Sequence, residues 1–208
     1  MPIFFYVAVV GYLLGSIPSA YIAGRLAGID IRNVGSGNVG ATNVARALGK
    51  RFGYPVFVVD AAKGFVAVKF AETLANSAHL SFISVDLCRV LGAIFAVIGH
   101  SYPIWLRFKG GKGVATSMGA FFALNWIPAL IVCVLWIVIF QTTRYVSLAS
   151  MAAAIALPIT IAVMLFLKEL PSPLLLYFAL CLAAIVVFRH RSNISRLLTG
   201  TEPRFVRK

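Results

Sequence analysis

Between residues 146 and 167 the chain reads VSLASMAAAIALPITIAVMLFL, a stretch without a charged side chain. A helix needs about 20 predominantly apolar residues to cross the hydrocarbon core of a bilayer, so this stretch is long enough to span it. Further apolar stretches lie along the rest of the chain, at 2–24, 53–75, 85–106, 113–125, 126–143 and 173–188. The pattern predicts an all-α integral membrane protein built as a helical bundle.

The composition agrees with a chain whose solvent is largely lipid. Hydrophobic residues make up 61% of the sequence and charged residues only 12%, whereas soluble domains are about half apolar and a quarter charged. This is too little polar surface to cover a soluble globular protein. We therefore predict one integral membrane domain that covers residues 1–208.

The formal net charge of +13 has two interpretations. Nucleic-acid-binding proteins place their basic residues on a water-exposed face of a soluble fold. Here the basic residues cluster between apolar stretches, which is typical of membrane topology and of affinity for anionic lipids or substrates. We expect membrane lipids and anionic small molecules as partners, and no nucleic acid.

The distribution of Lys and Arg predicts the number of spans. Connections 25–51 and 107–112 and the tail after residue 188 are basic, whereas 76–84 and 125–128 contain neither Lys nor Arg. With seven transmembrane helices every strongly basic connection lies on one face, which is cytoplasmic by the positive-inside rule. Joining 113–125 and 126–143 into one bent span would place 107–112 and the tail on opposite faces. We predict seven spans, with the N-terminus outside and the C-terminus cytoplasmic.

Charged residues inside the apolar stretches are spaced for pairing. Asp60 and Lys63 stand at i,i+3, so their side chains share one helix face and are expected to point into the bundle. For Lys63 a structural role and a substrate-binding role both remain open. Two further pairs share this spacing and are interpreted as structural: Lys69 with Glu72, and Asp86 with Arg89.

The first polar motif is GSGNVGATN at 35–43, followed by Arg46. Glycines allow backbone N–H groups to converge on a ligand, and Ser or Thr hydroxyls complete an anion cradle. We expect Thr42 or Asn43 to cap the following helix and Arg46 to bind a phosphate oxygen pair. The motif lacks the Gly-Lys of a Walker loop, and its dinucleotide-like glycine spacing follows no buried strand.

A second motif combines GHSYP at 99–103 with FKGGKGVAT at 108–116. Lys112 stands among three glycines at the predicted start of a helix on the cytoplasmic face. A lysine in that position is a point-charge partner for phosphate. A basic topology anchor is the alternative, but an anchor needs no glycines on both sides of the lysine.

The third motif, RHRSNISR at 189–196, directly follows the last apolar stretch. Its arginines are explained by topology alone. His190 and Asn193 are not, and a histidine can exchange a proton near neutral pH. Ser147, after Arg144 and Tyr145, is a weaker candidate for substrate binding, because small residues there also permit close helix packing.

The three motifs lie on the same predicted face and suggest a pocket for more than one phosphate at the height of lipid head groups. No His, Cys or carboxylate cluster predicts a metal, and we expect neither a metal nor a cofactor. Without a strong protein nucleophile, the chemistry that these residues favour is charge stabilisation and positioning of reactants.

These motifs resemble those of the acyl-phosphate-dependent glycerol-3-phosphate acyltransferases of bacterial phospholipid synthesis. The resemblance covers essentially the whole chain, in length and layout of spans as well as in motifs. The residues that carry it are Gly35 to Asn43, Gly99-His100 to Thr116, and Arg189-His190 with Asn193, Ile194, Arg196, Leu197, Gly200 and Glu202.

The resemblance implies an enzyme of the bacterial inner membrane whose active site faces the cytoplasm. The enzyme is expected to transfer an acyl group from acyl phosphate to the 1-hydroxyl of glycerol 3-phosphate. The products are 1-acylglycerol 3-phosphate (lysophosphatidic acid) and phosphate. By motif position, catalysis is assigned to Ser36, Lys112 and His190. Substrate binding is assigned to Gly35, Gly37, Asn38, Thr42, Asn43, Arg46, Lys63, His100, Gly111, Gly113, Ser147 and Asn193.

Alternatives remain open at this point. His190, His100 and a substrate phosphate oxygen are all candidates for the proton acceptor. A covalent acyl group on Ser36 is less favoured, because an activated donor needs little covalent help and the loop holds no evident base. A transporter of organophosphate anions is the main rival function, although such proteins bind near the bilayer midplane and often contain inverted repeats.

Overall fold

A computed structural model describes residues 2–205, and within that range all regular structure is helical, as predicted. Short 3-10 turns occur at Ile31–Asn33 and Ile104–Leu106. The α-helices of the described residues are α1 Pro2–Ser16, α2 Ser19–Leu26, α3 Ala41–Leu48, α4 Lys50–Ser77, α5 Phe82–Ser101, α6 Val114–Leu124, α7 Trp126–Thr143, α8 Val146–Phe166, α9 Leu174–Arg189 and α10 Arg191–Leu198.

Several of these helices have the length and apolar composition of membrane spans. Among the described residues, four single helical segments meet these criteria, and the pair α9 and α10, which bends by 57° at a short break, is a candidate for a fifth span. Helix α4 carries charged residues, and α6 is a shorter apolar helix. Seven spans therefore stay a prediction. The four candidate spans are Pro2–Leu26, Phe82–Leu106, Trp126–Thr143 and Val146–Phe166.

The first apolar stretch is broken where the sequence places Pro18. Helix α1 ends at Ser16 and α2 starts at Ser19. Proline has no N–H to donate, so a helix does not continue through it without losing a hydrogen bond. At the break, the Ile17 carbonyl accepts a hydrogen bond from a side chain of α4, which is described with the site.

The chain forms two compact units, which divide between Leu124 and Asn125. In the first unit the helices approach one another through small residues. A Cβ on Gly15 would collide with the Ala96 carbonyl of α5, and a Cβ on Gly64 with the Thr116 carbonyl of α6. Backbones that pack this closely gain dispersion contacts, which drive helix association where no hydrophobic effect acts.

The same contacts give the helix directions in the first unit. Gly11 faces Gly92 and Gly15 faces Ala96, so α1 and α5 run parallel. Gly64 faces Thr116 and Gly119 faces Ala61, so α4 and α6 run antiparallel. The segments 27–40 and 102–113 accordingly lie at one end of the unit, where Ile31, Val39, Val44 and Leu106 share a hydrophobic cluster. We call this end, formed by 27–40 and 102–113, the loop end.

All three ion pairs predicted from i,i+3 spacing form. The Lys63 and Asp60 side chains approach to 2.8 Å and are almost fully buried. The pairs Lys69–Glu72 and Arg89–Asp86 are more exposed, with closest approaches of 2.8 and 2.9 Å. The Arg89 guanidinium also donates to the carbonyls that end α6, so that pair has a structural role.

The second unit contains α7 to α10 and the segment that follows them. Helix α7 is followed by its C-cap residue Arg144, whose backbone is in the left-handed conformation with φ of 64°. The chain after α10 folds back on this turn, where the Phe205 N–H donates to the Arg144 carbonyl at 2.9 Å. The Trp136 indole donates to Ser150 at 3.1 Å and thereby joins α7 to α8.

Candidate active site

The first glycine motif forms a loop between the 3-10 turn Ile31–Asn33 and α3. Gly35 and Gly37 have φ of 62° and 68°, a left-handed conformation that glycine adopts without a steric penalty. Ser36 is exposed at the tip of this loop and Asn38 is half-buried. The loop thus turns sharply while keeping its hydroxyl and amide groups at the surface.

Asn43 organises this loop from inside. Its side-chain oxygen accepts the Ser36 N–H at 3.0 Å, and its Nδ2 donates to the Ile31 carbonyl at 3.2 Å and the Val34 carbonyl at 2.9 Å. Asn43 is 2% exposed, so these bonds form away from water, where a lost partner is costly. Its observed contacts are with the loop backbone.

The capping prediction for this loop is wrong. The N-cap of α3 is Gly40, which makes no side-chain capping bond, and Thr42 and Asn43 lie within the first turn. Asn43 cannot cap because its amide is turned back onto the preceding loop. Arg46 is exposed in the last turn of the same helix.

The second glycine motif is tied to the end of α5. The Gly110 N–H donates to the Ser101 carbonyl and the Gly111 N–H to the His100 carbonyl, each at 3.1 Å. A Cβ on Gly111 would collide with the His100 ring nitrogen Nε2 and would lie 3.0 Å from the Val39 carbonyl. Only glycine therefore fits between His100 and the first glycine loop, and the two motifs meet there.

Lys112 and Gly113 follow this junction and lead into α6. Gly113 has φ of 82°, which favours glycine, and α6 begins at Val114. Lys112 is half-buried, as expected for a side chain that borders a site without being enclosed by it. The predicted helix start after Lys112 is confirmed.

Beneath these loops lies a buried cluster centred on Asp60. Its Oδ1 accepts the Ser19 hydroxyl at 2.6 Å and the Lys63 ammonium at 2.8 Å, and His100 Nδ1 lies 3.5 Å from it. The Lys63 ammonium also donates to the Ile17 carbonyl at 3.1 Å, at the break between α1 and α2. The cluster joins α2, α4 and α5 at the loop end.

A cavity of about 10 Å³ opens between this cluster and the loops. Such a volume is about that of one water-sized probe. Sequence analysis predicted Lys63, His100 and Gly111 as substrate-binding residues, and all three border this cavity with Ser19 and Val39. The structure thus gathers predicted site residues from three separate parts of the first unit.

The surface of the loop end is cationic. Arg32, Arg107 and Lys109 line a wide groove of about 430 Å³. The hydrogen-bonded Arg32 guanidinium lowers the pKa of Asp30 to about 2, so this carboxylate stays ionised and offsets one positive charge. The remaining cations attract anionic solutes toward this end of the unit.

In the second unit, the predicted residues Ser147 and Asn193 meet at the carboxylate of Glu202. Its Oε1 accepts the Ser147 hydroxyl at 2.6 Å and the Asn193 Nδ2 at 2.7 Å, while Oε2 accepts Arg196 Nε at 2.8 Å. Glu202 is 6% exposed. Burial alone would raise the pKa of Glu202, but these hydrogen bonds outweigh it and lower the pKa below the usual value.

His190 stands at the bend between α9 and α10 and is buried. Its Nδ1 lies 2.7 Å from the Val186 carbonyl, which only accepts hydrogen bonds, so Nδ1 carries the proton. In the neutral ring Nε2 is then the basic nitrogen. The backbone therefore sets the tautomer that a proton acceptor at Nε2 requires.

Comparison with known proteins identifies the family. The profile of the family described as glycerol-3-phosphate acyltransferase matches residues 5–200. The glycerol-3-phosphate acyltransferase of Aquifex aeolicus (strain VF5) is 44% identical over 201 residues, which cover 96% of this chain and 98% of that protein. This chain belongs to the glycerol-3-phosphate acyltransferase family.

Other comparisons agree. The glycerol-3-phosphate acyltransferase of Synechococcus sp. (strain JA-2-3B'a(2-13)) is 47% identical, across 95% of this chain and 92% of that protein. A crystal structure of the integral membrane acyltransferase PlsY (YgiH) in its glycerol 3-phosphate form superposes with a TM-score of 0.84 and 42% identity, over 98% of this chain and 96% of that one. Its lysophosphatidic acid form gives a TM-score of 0.81 and 41% identity, over 98% and 95% of the respective chains.

The protein is thus an integral membrane glycerol-3-phosphate acyltransferase, and the resemblance inferred from its motifs is confirmed at the level of the family. The roles of individual residues stay predictions. In this acyltransferase the predicted residues fall into two groups. One group lies in the first unit, at or near the loop end. The other lies in the second unit, where Ser147 and Asn193 contact Glu202 and His190 stands at the bend between α9 and α10.

Sequence reasoning overlooked three contributions to these groups. Ser19 was not singled out, Asp60 was treated only as the partner of Lys63, and Glu202 only as part of a motif. A signal was present, because the chain has 6 acidic residues against 19 basic ones. Charged residues inside apolar spans pair with one another or with backbone carbonyls, so an acid such as Asp60 in that position indicates specific partners.

Proposed function

We propose that this acyltransferase moves a fatty acyl group from acyl phosphate to the 1-hydroxyl of glycerol 3-phosphate, giving 1-acylglycerol 3-phosphate and phosphate. The observation that carries the proposal is the junction of the two glycine motifs, where Gly111 fits between His100 and Val39. Two glycine-rich loops in contact, with Ser36 and Lys112 among their residues, suit the binding of a reactant that carries phosphate.

The donor is argued from the chemistry of the loops. Acyl phosphate is a mixed anhydride whose phosphate leaves readily, so transfer needs charge stabilisation more than a protein nucleophile. Residues 35–46 contain Ser36 and Thr42 but no His, Asp or Glu that would activate a hydroxyl. Direct attack of the glycerol 3-phosphate hydroxyl on the acyl carbon is the step that these residues support.

In the first unit we assign phosphate binding to Ser36, Arg46 and Lys112. Lysine serves here as a point charge and arginine as a bidentate donor. Gly35, Gly37, Gly111 and Gly113 permit the backbone to approach the ligand. The remaining residues shape the pocket or border it: Asn38, Thr42, Asn43, Lys63 and His100.

In the second unit we assign the binding of glycerol 3-phosphate to His190 and Asn193, and we include Ser147 because it shares the Glu202 carboxylate with Asn193. When the hydroxyl oxygen bonds to the acyl carbon, the bond from that carbon to the phosphate oxygen breaks and phosphate departs with the electron pair. The hydroxyl proton passes to His190, His100 or a phosphate oxygen of a substrate. For His190 the accepting atom is Nε2, because Nδ1 donates to Val186.

We further propose seven spans, with the N-terminus outside, the C-terminus in the cytoplasm, and a cytoplasmic active site in the bacterial inner membrane. Within the first unit, the cations Arg25, Arg32, Arg107 and Lys109 flank or line the loop end, as the positive-inside rule requires of a cytoplasmic end. Cysteine accessibility measured at Lys109 and His79 in intact cells tests this orientation.

The activity is tested with purified protein in detergent or nanodiscs. We expect phosphate release that requires both acyl phosphate and glycerol 3-phosphate, with lysophosphatidic acid formed in equal amount. Replacing the donor with an acyl thioester should abolish the product. Turnover with the thioester and none with acyl phosphate would refute the proposed donor, whereas movement of glycerol 3-phosphate across a vesicle without acylation would point to a transporter.

A further inference from the structure

Asp60 is a buried carboxylate to which the mechanism above assigns no task. It is 1% exposed, and Ser19, Lys63 and His100 converge on one of its oxygens. Lys63, one turn away on the same helix, would suffice to neutralise the charge. The contacts from Ser19 and His100 come from two other helices and exceed what neutralisation needs.

The His100 contact leads from Asp60 to the second glycine motif. The imidazole has Nδ1 toward Asp60 and Nε2 against Gly111. The His100 carbonyl accepts the Gly111 N–H, and the carbonyl of the next residue, Ser101, accepts the Gly110 N–H. A rotation of the His100 ring would therefore meet the backbone of Gly111 directly, one residue before Lys112.

We propose that Asp60 is a positioning residue, which acts through His100 to hold the segment 110–113 where Lys112 reaches a substrate phosphate. This proposal rests on the phosphate-binding role of Lys112 proposed above. Asp60 itself touches neither substrate. Its carboxylate fixes the ring by Nδ1, the ring and its carbonyl fix Gly111, and Gly111 fixes the backbone from which Lys112 extends. Displacing the ammonium from the phosphate weakens their attraction, because the Coulomb energy falls as the separation grows.

The chain contains a matched control for this proposal. Asp86 is also an aspartate paired at i,i+3, with Arg89 at 2.9 Å, in a helix of the same unit. It lies near the start of α5, whereas His100 lies near its end, about 20 Å away at 1.5 Å per residue. Asp86→Asn therefore removes an ion pair of the same spacing, although a more exposed one, without touching the loop end.

The experiment measures amide hydrogen exchange and steady-state kinetics on the full chain in nanodiscs. In Asp60→Asn, we expect exchange at Gly110 and Gly111 to accelerate at least about fivefold, because their hydrogen bonds open more often. Lys112→Ala should raise the KM of the substrate whose phosphate Lys112 binds. In Asp60→Asn we expect the KM of that same substrate to rise about tenfold, with kcat changed less than about threefold. Asp86→Asn should change neither quantity.

Unchanged exchange at Gly110 and Gly111 in folded Asp60→Asn would overturn the proposal, whatever the activity. A rise in the KM of the other substrate, or a loss confined to kcat, would also overturn it. Faster exchange in Asp60→Asn with both KM values unchanged would overturn it as well. Wild-type KM values in Lys112→Ala would instead refute the phosphate-binding role of Lys112, so the two proposals fail separately.

A second variant covers the case in which Asp60→Asn does not fold, since that change leaves Lys63 buried beside a neutral group. Ser19→Ala removes one hydrogen bond to Asp60 and alters no charge. We expect the same two effects at smaller size, with exchange about twofold faster. A folded Ser19→Ala with wild-type exchange and KM would count against the proposal on its own.

Discussion

Asp60 in the first unit and Glu202 in the second are both buried acids with three side-chain partners, yet their surroundings differ. Asp60 lies between helices, and its partners Ser19, Lys63 and His100 belong to α2, α4 and α5. Glu202 follows the last helix and joins the chain end to α8 and α10. The first acid lies under the glycine loops, whereas the second joins a segment of chain to Ser147 and Asn193. We therefore expect Asp60 to act on substrate binding through the loops, and Glu202 to act on stability as well as on the two residues that it holds.

The largest effect on stability is expected from Glu202→Ala. The change leaves the buried Ser147 hydroxyl and Asn193 amide without their carboxylate, at a cost of about 1–3 kcal/mol for each donor left unsatisfied. We expect a clear fall in the thermal unfolding midpoint in detergent. The exposed acid of the same unit, Glu169, supplies the control, and Glu169→Ala should unfold with the wild type. Equal midpoints for both variants would remove the contrast between the two acids.

The loop end should show the opposite response. In Lys112→Ala we expect kcat/KM to fall at least about tenfold, roughly 1.4 kcal/mol of transition-state stabilisation, with an unchanged unfolding midpoint. Lys109→Ala, an exposed lysine of the same loop, is the control and should lose less than about twofold. Similar losses in both variants would mean that the loop acts through its general positive charge and not through a placed side chain.

Gly111→Ala examines the junction between the two loops. The added methyl group would collide with His100 Nε2, so the ring or the loop must shift. We expect kcat/KM to fall about fivefold, or roughly 1 kcal/mol. Gly28→Ala is the comparison, because nothing lies within 4 Å of its Cβ position and only its φ of 78° opposes the change. That variant should lose some stability and no activity.

The smallest effect concerns the pH dependence of stability and tests the hydrogen bonds of Glu202. Because the pKa of Glu202 is lowered in the folded protein, its contribution to stability is complete above the unfolded value of about 4.3 and is lost as the pH falls through the folded pKa. We expect the unfolding midpoint of the wild type to decrease as the pH falls below about 4.3. Glu202→Gln should show a shallower decrease, and an identical profile would contradict the assigned hydrogen bonds.

Local sequence predicted much of the fold. The lengths of the apolar stretches predicted the helices, and i,i+3 spacing predicted the ion pairs, including Asp60 with Lys63. Both are properties of a single segment, because hydropathy and helix periodicity depend only on neighbours in the chain. The cap of α3 was predicted wrongly because Asn43 bonds to Val34 and Ile31, nine and twelve residues away, in preference to its own helix end.

The candidate site was predicted as a set of residues but not as a set of contacts. The motifs named His100, Gly111, Ser147 and Asn193 as site residues, and in the structure each lies beside another motif or a buried acid. Their partners were not foreseen. Ser147 and Glu202 are 55 residues apart in the chain, and no periodicity relates such positions.

By itself the sequence determined that this chain is a helical membrane protein with the motifs of its family, because lipid requires long apolar helices and because the order and spacing of motif residues can be read directly from the chain. Only the tertiary structure decided that Asp60 meets Ser19 and His100, and that Gly111 closes the gap between the two loops. These contacts follow from close packing of helices at small residues such as Gly15 and Gly64. How closely two helices approach depends on the opposing backbone as well as on the segment that contains the glycine.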